Sequence, residues 1–96
     1  MKLVRLSSGE EVIGKVEEHP NHISISDGYS LIPAGEGKIG FMPFMAYTKA
    51  KDGIDIDRKF VVFVVEPVEE LVDQIRQMDT GLTVPSGKIV TWAKTG

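Results

Sequence analysis

No cysteine occurs in the 96 residues of the chain. Its absence excludes a disulfide framework, a thiol nucleophile and a cysteine-ligated zinc site, and it fits a reducing compartment. The sequence also lacks any apolar run approaching the roughly 20 residues that span a bilayer. The first residues follow a strand pattern instead of the apolar stretch of a signal peptide. We therefore expect a soluble, cytoplasmic protein with no membrane partner.

An excess of charge of one sign is missing as well. Eleven lysines and arginines stand against 14 aspartates and glutamates, which gives a formal net charge of −3. This weakly acidic balance provides no general attraction to nucleic acid, so such binding would need a local basic patch. Without repeats, low-complexity segments or linkers, the length suits one domain with a single modest core.

The chain does contain one strongly apolar run, Phe60–Val65, which stops at Glu66-Pro67. Its residues are β-branched or aromatic, and six residues ended by proline predict a strand, not a helix. A half-buried strand would alternate apolar and polar residues, whereas this run has no polar face, so we expect both faces to be covered. We place Phe63 and Val65 on one face and, on the other, Phe60, Val62 and Val64.

Two strands joined by a tight turn precede this run. Lys2–Ser7 and Glu11–Glu18 are the predicted strands, and Ser8-Gly9 is the turn, because glycine accepts the positive φ of hairpin turns. Gly14 lies on the inward face of the second strand. A glycine there indicates a sharp bend or a close backbone approach. Strong bending of short strands is what a small barrel requires.

The next two predicted strands are separated by a loop. Ile23-Ser24-Ile25-Ser26 alternates, and Asp27-Gly28 is either a turn or a bulge before Tyr29–Pro33. Ile39–Thr48 is a long apolar strand, and Pro43 makes it an edge or a bulge because proline cannot donate to a ladder. Its side chains divide between one face with Met42 and Phe44 and another with Phe41, Met45 and Tyr47. Lys49–Lys59 is interpreted as a charged, solvated hairpin loop; a nucleic-acid patch is the alternative.

A helix is the clearest prediction after the apolar run. Pro67 suits the first turn of a helix and Gly81 its end. Apolar residues recur between them at helical spacing, at Val68, Leu71, Val72, Ile75 and Met78. We expect no helix between Ile39 and Val65.

These elements predict a mainly β fold, a small, strongly bent five-stranded antiparallel barrel with a C-terminal helix. The barrel takes residues 1–65, the helix 66–81 and a tail 82–96, all within a single domain. Lys88–Trp92 is a further strand candidate in the tail.

The order of strand, glycine turn, bent strand with a central glycine and alternating strand resembles the Sm-like fold, an SH3-type barrel. The residues that carry the resemblance are Val4-Arg5-Leu6, Gly9, Val12, Gly14, Val16, Ile23 and Ile25. The second motif of the family would be the hairpin Ile39–Val65, so the resemblance covers about two thirds of the chain. Among these proteins the chain resembles the short Sm-like proteins encoded by marine phages.

Sm-like proteins form rings in which the fourth strand of one subunit pairs with the fifth strand of its neighbour. The resemblance therefore implies a homo-oligomer of about five to seven subunits, and heterologous contacts of this kind can close cyclically. It would also bury two strands that are apolar on both faces. The implied contact residues are Phe41, Met42, Phe44, Met45, Tyr47, Phe60, Val62 and Val64.

The RNA-binding members of the family carry Asp and Asn at the loop into the third strand and Arg-Gly after the fifth. The residues near the first pair are His19, Asn21, His22 and Ser24, which we take as the candidate RNA or pore loop. Glu66-Pro67 stands where Arg-Gly would be, and a carboxylate cannot neutralise phosphate as arginine does.

No residue pattern indicates catalysis, and no cofactor is expected. His19 and His22 are three apart, but a proline-containing turn should splay their rings and no third metal ligand is evident. Two functions remain open. One is a non-enzymatic Sm-like ring that binds RNA or a nucleoprotein partner; the other is a protein-interaction or scaffold ring that has lost the RNA site.

Overall fold

The structure, a computed structural model, describes residues 1–79 and 88–91. Its strands and its α-helix are β1 Lys2–Leu6, β2 Glu11–Glu18, β3 His22–Pro33, β4 Lys38–Pro43, β5 Ile54–Asp57, β6 Val61–Val65, α1 Glu69–Asp79 and β7 Lys88–Thr91. Two short 3-10 helices, Lys49–Asp52 and Arg58–Phe60, flank β5. The prediction of a mainly β chain with a C-terminal helix is confirmed.

The strands form one antiparallel sheet. Six of them follow one another in the order β6-β1-β2-β3-β4-β7, and β5 pairs with β3 beside this path. The prediction of five strands is therefore wrong, since the sheet has seven. In the part of the chain that the structure describes, the two ends of the path do not pair with each other. The sheet is open, and the predicted closed barrel is not shown.

The strand count differs mainly in the stretch from Ile39 to Lys59, where the structure has two short strands in place of one long strand and a loop. The predicted strand Ile39–Thr48 ends at Pro43, which has no N–H for a ladder. A turn and the 3-10 helix Lys49–Asp52 follow, so the prediction of no helix before Val65 is wrong. The supposed loop contains β5, whose alternating Ile-Asp-Ile-Asp sequence is a short strand pattern.

The residues that the structure describes cover only one side of the apolar run. Phe60 lies in a 3-10 helix, and β6 begins at Val61. Between Leu6↔Val61 and Arg5↔Phe63 the register shifts by one extra residue in β6, a β-bulge. Val61 and Val64 consequently pack towards the core, whereas Val62 is 59% exposed. The prediction that Val62 and Val64 share a face is therefore wrong. The described residues cover only one face, so coverage of both faces stays a prediction.

The glycine in β2 makes the predicted close approach. A Cβ placed on Gly14 would lie 2.9 Å from the Cα of Gly28 and 3.0 Å from the carbonyl oxygen of Ser26. At the same point the register between β2 and β3 shifts, and Asp27 has a φ of 49°. Asp27-Gly28 is thus a bulge within one long strand, not a turn between two strands.

Two hydrophobic clusters lie on opposite faces of the sheet. Val12 and Ile13 are adjacent in β2 and fully buried, yet they belong to different clusters because strand side chains alternate. Around Val12 the first cluster gathers the buried side chains of Val4, Leu6, Ile23, Ile25 and Phe44. The second, around Ile13, gathers Tyr29, Phe41, Leu71, Ile75 and Met78.

Helix α1 covers the second cluster. Leu71, Val72, Ile75 and Met78 are buried, as their spacing predicts, and each large side chain contributes roughly 1.5–3 kcal/mol. Val68 instead precedes the helix and is 45% exposed. The predicted helix end at Gly81 lies outside the described residues, and β7 is the described part of the predicted tail.

We predict that Gly14→Ala destabilises the fold by about 1–3 kcal/mol, because the added methyl group would meet backbone atoms that cannot move aside. Urea unfolding followed by circular dichroism measures this change. Lys15→Ala is the matched control in the same strand. It removes only an exposed ion pair with Asp27, worth less than about 1 kcal/mol. Equal stability of the two variants would contradict the close approach.

Candidate functional site

The turn between β2 and β3 carries the two histidines. The backbone N–H of His19 donates to the carbonyl of His22 at 2.9 Å, which closes the turn. The imidazole rings stack, with centroids 4.5 Å apart and planes 18° from parallel. The prediction that the proline-containing turn splays the rings is therefore wrong. Nε2 of His19 also lies 3.0 Å from a carboxylate oxygen of Glu17.

Arg58 joins this turn to the connection between β5 and β6. Its Nε donates to the carbonyl of His19 at 2.7 Å, and its backbone N–H donates to the carbonyl of Asn21 at 3.1 Å. One guanidinium nitrogen, Nη2, lies 3.5 Å from Glu18 Oε1. Sequence reasoning missed this residue, because the pairing of β5 with β3 that brings it here was not recognised.

Ser24 and Asp55 complete the same end of the sheet. The Ser24 hydroxyl donates to Oδ1 of Asp55 at 2.6 Å, and Nε2 of His22 lies 4.0 Å from Oδ2 of the same carboxylate. The structure thus brings all four predicted loop residues together and adds Asp55 and Arg58. We call this group the loop site: His19, Asn21, His22, Ser24, Asp55 and Arg58.

The loop site is surrounded by more negative than positive charge. In and around the site lie four carboxylates, Glu17, Glu18, Asp55 and Asp57, and two cations, Arg58 and Lys59. With neutral histidines these side chains carry a net charge of −2. The Arg58 side chain already binds the turn. Phosphate contacts depend on available cations, so this end is a poor phosphate site. Among residues 1–79 and 88–91, no group of three or more His, Asp or Glu side chains is arranged to hold a metal ion.

A second candidate surface consists of open strand edges. β5 pairs only with β3 and β6 only with β1 among the described strands. Each therefore presents one edge of unpaired N–H and C=O groups, which is a template for another strand. The 3-10 helix Arg58–Phe60 alone separates these two edges along the chain.

Exposed apolar side chains accompany the β6 edge. Val62 is 59% exposed, Phe63 40% and Val65 44%, and all three follow Phe60, which is 49% exposed. Large exposed apolar residues so close together indicate an interaction surface, in contrast to isolated ones. We call Val62, Phe63 and Val65 the β6 patch.

The eight residues predicted at a subunit contact have different environments. Phe41 and Phe44 are buried in the two clusters, and Val64 packs against the first cluster. The exposed members are Met42, Met45, Tyr47, Phe60 and Val62. The outer edge of β4, predicted to pair with a neighbour, is paired with β7 along Lys38–Phe41. β5, which pairs with the same strand β3 as β4 does, has an open edge instead.

No protein-family model matches the chain, and neither does any curated protein. None of the helices in the described ranges is long and apolar enough to cross a membrane.

We predict that Arg58→Ala loosens the β2–β3 turn, because it removes the donor to the carbonyl of His19 and the ion pair with Glu18. Amide hydrogen exchange at residues 19–22 should accelerate, with a loss of about 1 kcal/mol in stability. Lys59→Ala is the control, since its backbone and not its side chain donates to Asp57. Unchanged exchange in Arg58→Ala would show that the arginine does not hold this turn.

Proposed function

We propose that this chain is a non-enzymatic, Sm-like module whose function is to assemble into a homo-oligomeric ring of about five to seven subunits. The observation that carries the proposal is the pair of unpaired strand edges on β5 and β6, one of them flanked by the β6 patch. Pairing β5 of one copy with β6 of the next uses both of these edges.

Head-to-tail pairing of this kind has a defined outcome. The two surfaces in contact differ, so the interface is heterologous and repetition either closes a ring or extends a fibre. A closed ring leaves no β5 or β6 edge free, which removes the aggregation risk of the exposed apolar edge strand β6. In this pairing β5 replaces Ile39–Tyr47, the segment that the sequence predicted to pair with the neighbouring subunit.

The Sm-like assignment is supported by how β5 and β6 are connected. β5 pairs with β3, β6 pairs with β1, and Arg58–Phe60 links them in a single short turn. Their inward side chains, Ile54, Ile56, Val61 and Val64, all pack against the first cluster. We infer that these five strands, β5-β3-β2-β1-β6, curl around that cluster as the bent barrel of the family, with β4, β7 and α1 added to it.

RNA binding is the second candidate function. It is favoured by one observation, the stacked histidines and Arg58 at the same end of the chain. The surplus of carboxylates there favours the other alternative, a ring that binds a protein partner and has lost the Sm-type RNA site. We therefore put assembly first and RNA binding second.

The assembly proposal predicts opposite effects for two neighbouring valines. Val62→Lys should leave the fold intact and lower the assembly mass, because Val62 is exposed in the chain. Val64→Lys should instead lower stability by at least about 2 kcal/mol, because the charge enters the first cluster. Sedimentation velocity and thermal unfolding distinguish the two effects. Ile32→Lys, at an exposed apolar residue of β3, is the control. If the Val62→Lys variant formed an assembly of the same mass as the wild-type chain, pairing through β6 would be contradicted.

For RNA, we predict weak binding of oligouridylate and oligoadenylate at physiological salt, with a shallow dependence on salt concentration. Few cations are available at the loop site to release counterions from phosphate. Fluorescence anisotropy over a salt series measures both quantities. Submicromolar affinity for either oligonucleotide would instead establish RNA binding as a function of the ring.

A further inference from the structure

The turn between β4 and β5 presents the most exposed aromatic residue of the described chain. Tyr47 is 97% exposed and Met45, two residues before it, is 46% exposed. Tyrosine contributes much to protein interfaces because it combines a large apolar ring with a hydroxyl at little entropic cost. We call residues 44–48 the tyrosine turn.

The tyrosine turn is held in one conformation. Phe44 is buried in the first cluster and its N–H donates to the carbonyl of Gly28 at 2.8 Å. The backbone N–H and the hydroxyl of Thr48 both donate to the carbonyl of Met45, at 3.0 and 2.7 Å. Ala50, also buried, donates its N–H to the Thr48 hydroxyl at 3.1 Å. A turn fixed in this way loses little entropy when it binds.

The tyrosine turn lies close to the open edge of β5. Ile54 at the start of β5 pairs with Ile25 of β3, and Phe44 is hydrogen-bonded to Gly28, only three residues further along β3. The tyrosine turn therefore lies near the N-terminal end of β5. If a neighbouring β6 pairs antiparallel with β5, as every strand pair of this sheet does, the C-terminal end of that β6 lies at the same place.

The segment that follows β6 has matching apolar surface. Val65 and Val68 are 44% and 45% exposed, and they frame the connection from β6 to α1. We call residues 65–70 the β6–α1 junction. Its two exposed valines provide an apolar surface for an aromatic ring.

The charges on the two sides are complementary. Lys49 and Lys51 follow the tyrosine turn, are exposed, and make no ion pair within residues 1–79 and 88–91. The β6–α1 junction carries three exposed carboxylates, Glu66, Glu69 and Glu70. Lys2, 3.0 Å from Glu66, holds the pKa of that carboxyl below its usual value, so it is ionised at neutral pH. Complementary charge around an apolar contact fixes the orientation of two partners.

We propose that the tyrosine turn docks onto the β6–α1 junction of the neighbouring copy, with Tyr47 against Val65 and Val68 and with Lys49 and Lys51 facing the glutamates. The inference rests on the proposed ring function and adds a specific contact outside the paired strand backbones. The tyrosine turn then acts as a side-chain anchor that sets the register between β5 and the neighbouring β6.

Removing the ring of Tyr47 tests this contact. Tyr47→Ser should raise the dissociation constant of assembly by about tenfold or more, whereas Tyr47→Phe should change it by less than about twofold. Ile32→Ser, which removes a similarly apolar exposed side chain elsewhere on the sheet, should have no effect. Sedimentation over a dilution series gives the constants, and unchanged thermal unfolding shows that each variant folds. Equal constants for wild type and Tyr47→Ser would overturn the proposal and leave ring assembly standing.

An engineered disulfide tests directly whether the tyrosine turn of one copy lies beside the β6–α1 junction of the next. The chain has no cysteine, so Tyr47→Cys/Val68→Cys carries its only two thiols. After mild oxidation, we expect covalent dimers and larger multimers on a non-reducing gel. The control, Ile32→Cys/Val68→Cys, should remain a single chain. An assembled double variant that yields no covalent multimer would refute the contact. A wild-type chain that stays monomeric would refute the ring, and the docking contact with it.

Discussion

The division of β3 at its bulge is the constraint on which the rest of the structure depends. One edge of β3 pairs with β2 from Ile23 to Leu31, on both sides of the bulge. Its other edge pairs with β5 before Asp27-Gly28 and with β4 after it. The close approach of Gly14 to Gly28 marks the division, and any side chain there would push β2 and β3 apart. The half with β5 borders the first cluster and the loop site, and the half with β4 borders α1.

This division also explains why the chain exposes an apolar strand. β7 pairs with the outer edge of β4, whereas no described strand pairs with the outer edges of β5 and β6. The β-bulge in β6 turns Val62 and Phe63 away from the core, and the described residues leave both side chains exposed. The loop site lies at the turn that joins these two strands, where assembly would repeat its histidines and carboxylates around a ring axis.

The sequence predicted the features that depend on local pattern. Gly14 in a strand indicated the close approach, Asp27-Gly28 the irregularity of β3, and helical spacing the buried face of α1. It did not predict β5, because four residues with two aspartates resemble a charged loop. It also misplaced Val64, since a bulge reverses the phase of alternation and depends on the partner strand. The role of Arg58 depends on its contact with His19, 39 positions away, which no local pattern records.

The proposed assembly requires that the open edges of β5 and β6 pair with strands of other copies of the chain. Multi-angle light scattering of the unmodified protein at micromolar concentration measures this most directly. We expect a single mass of about five to seven times the 10.5 kDa of one chain. A well-folded species with the mass of one chain would contradict the account, because the β6 patch would then remain exposed in solution.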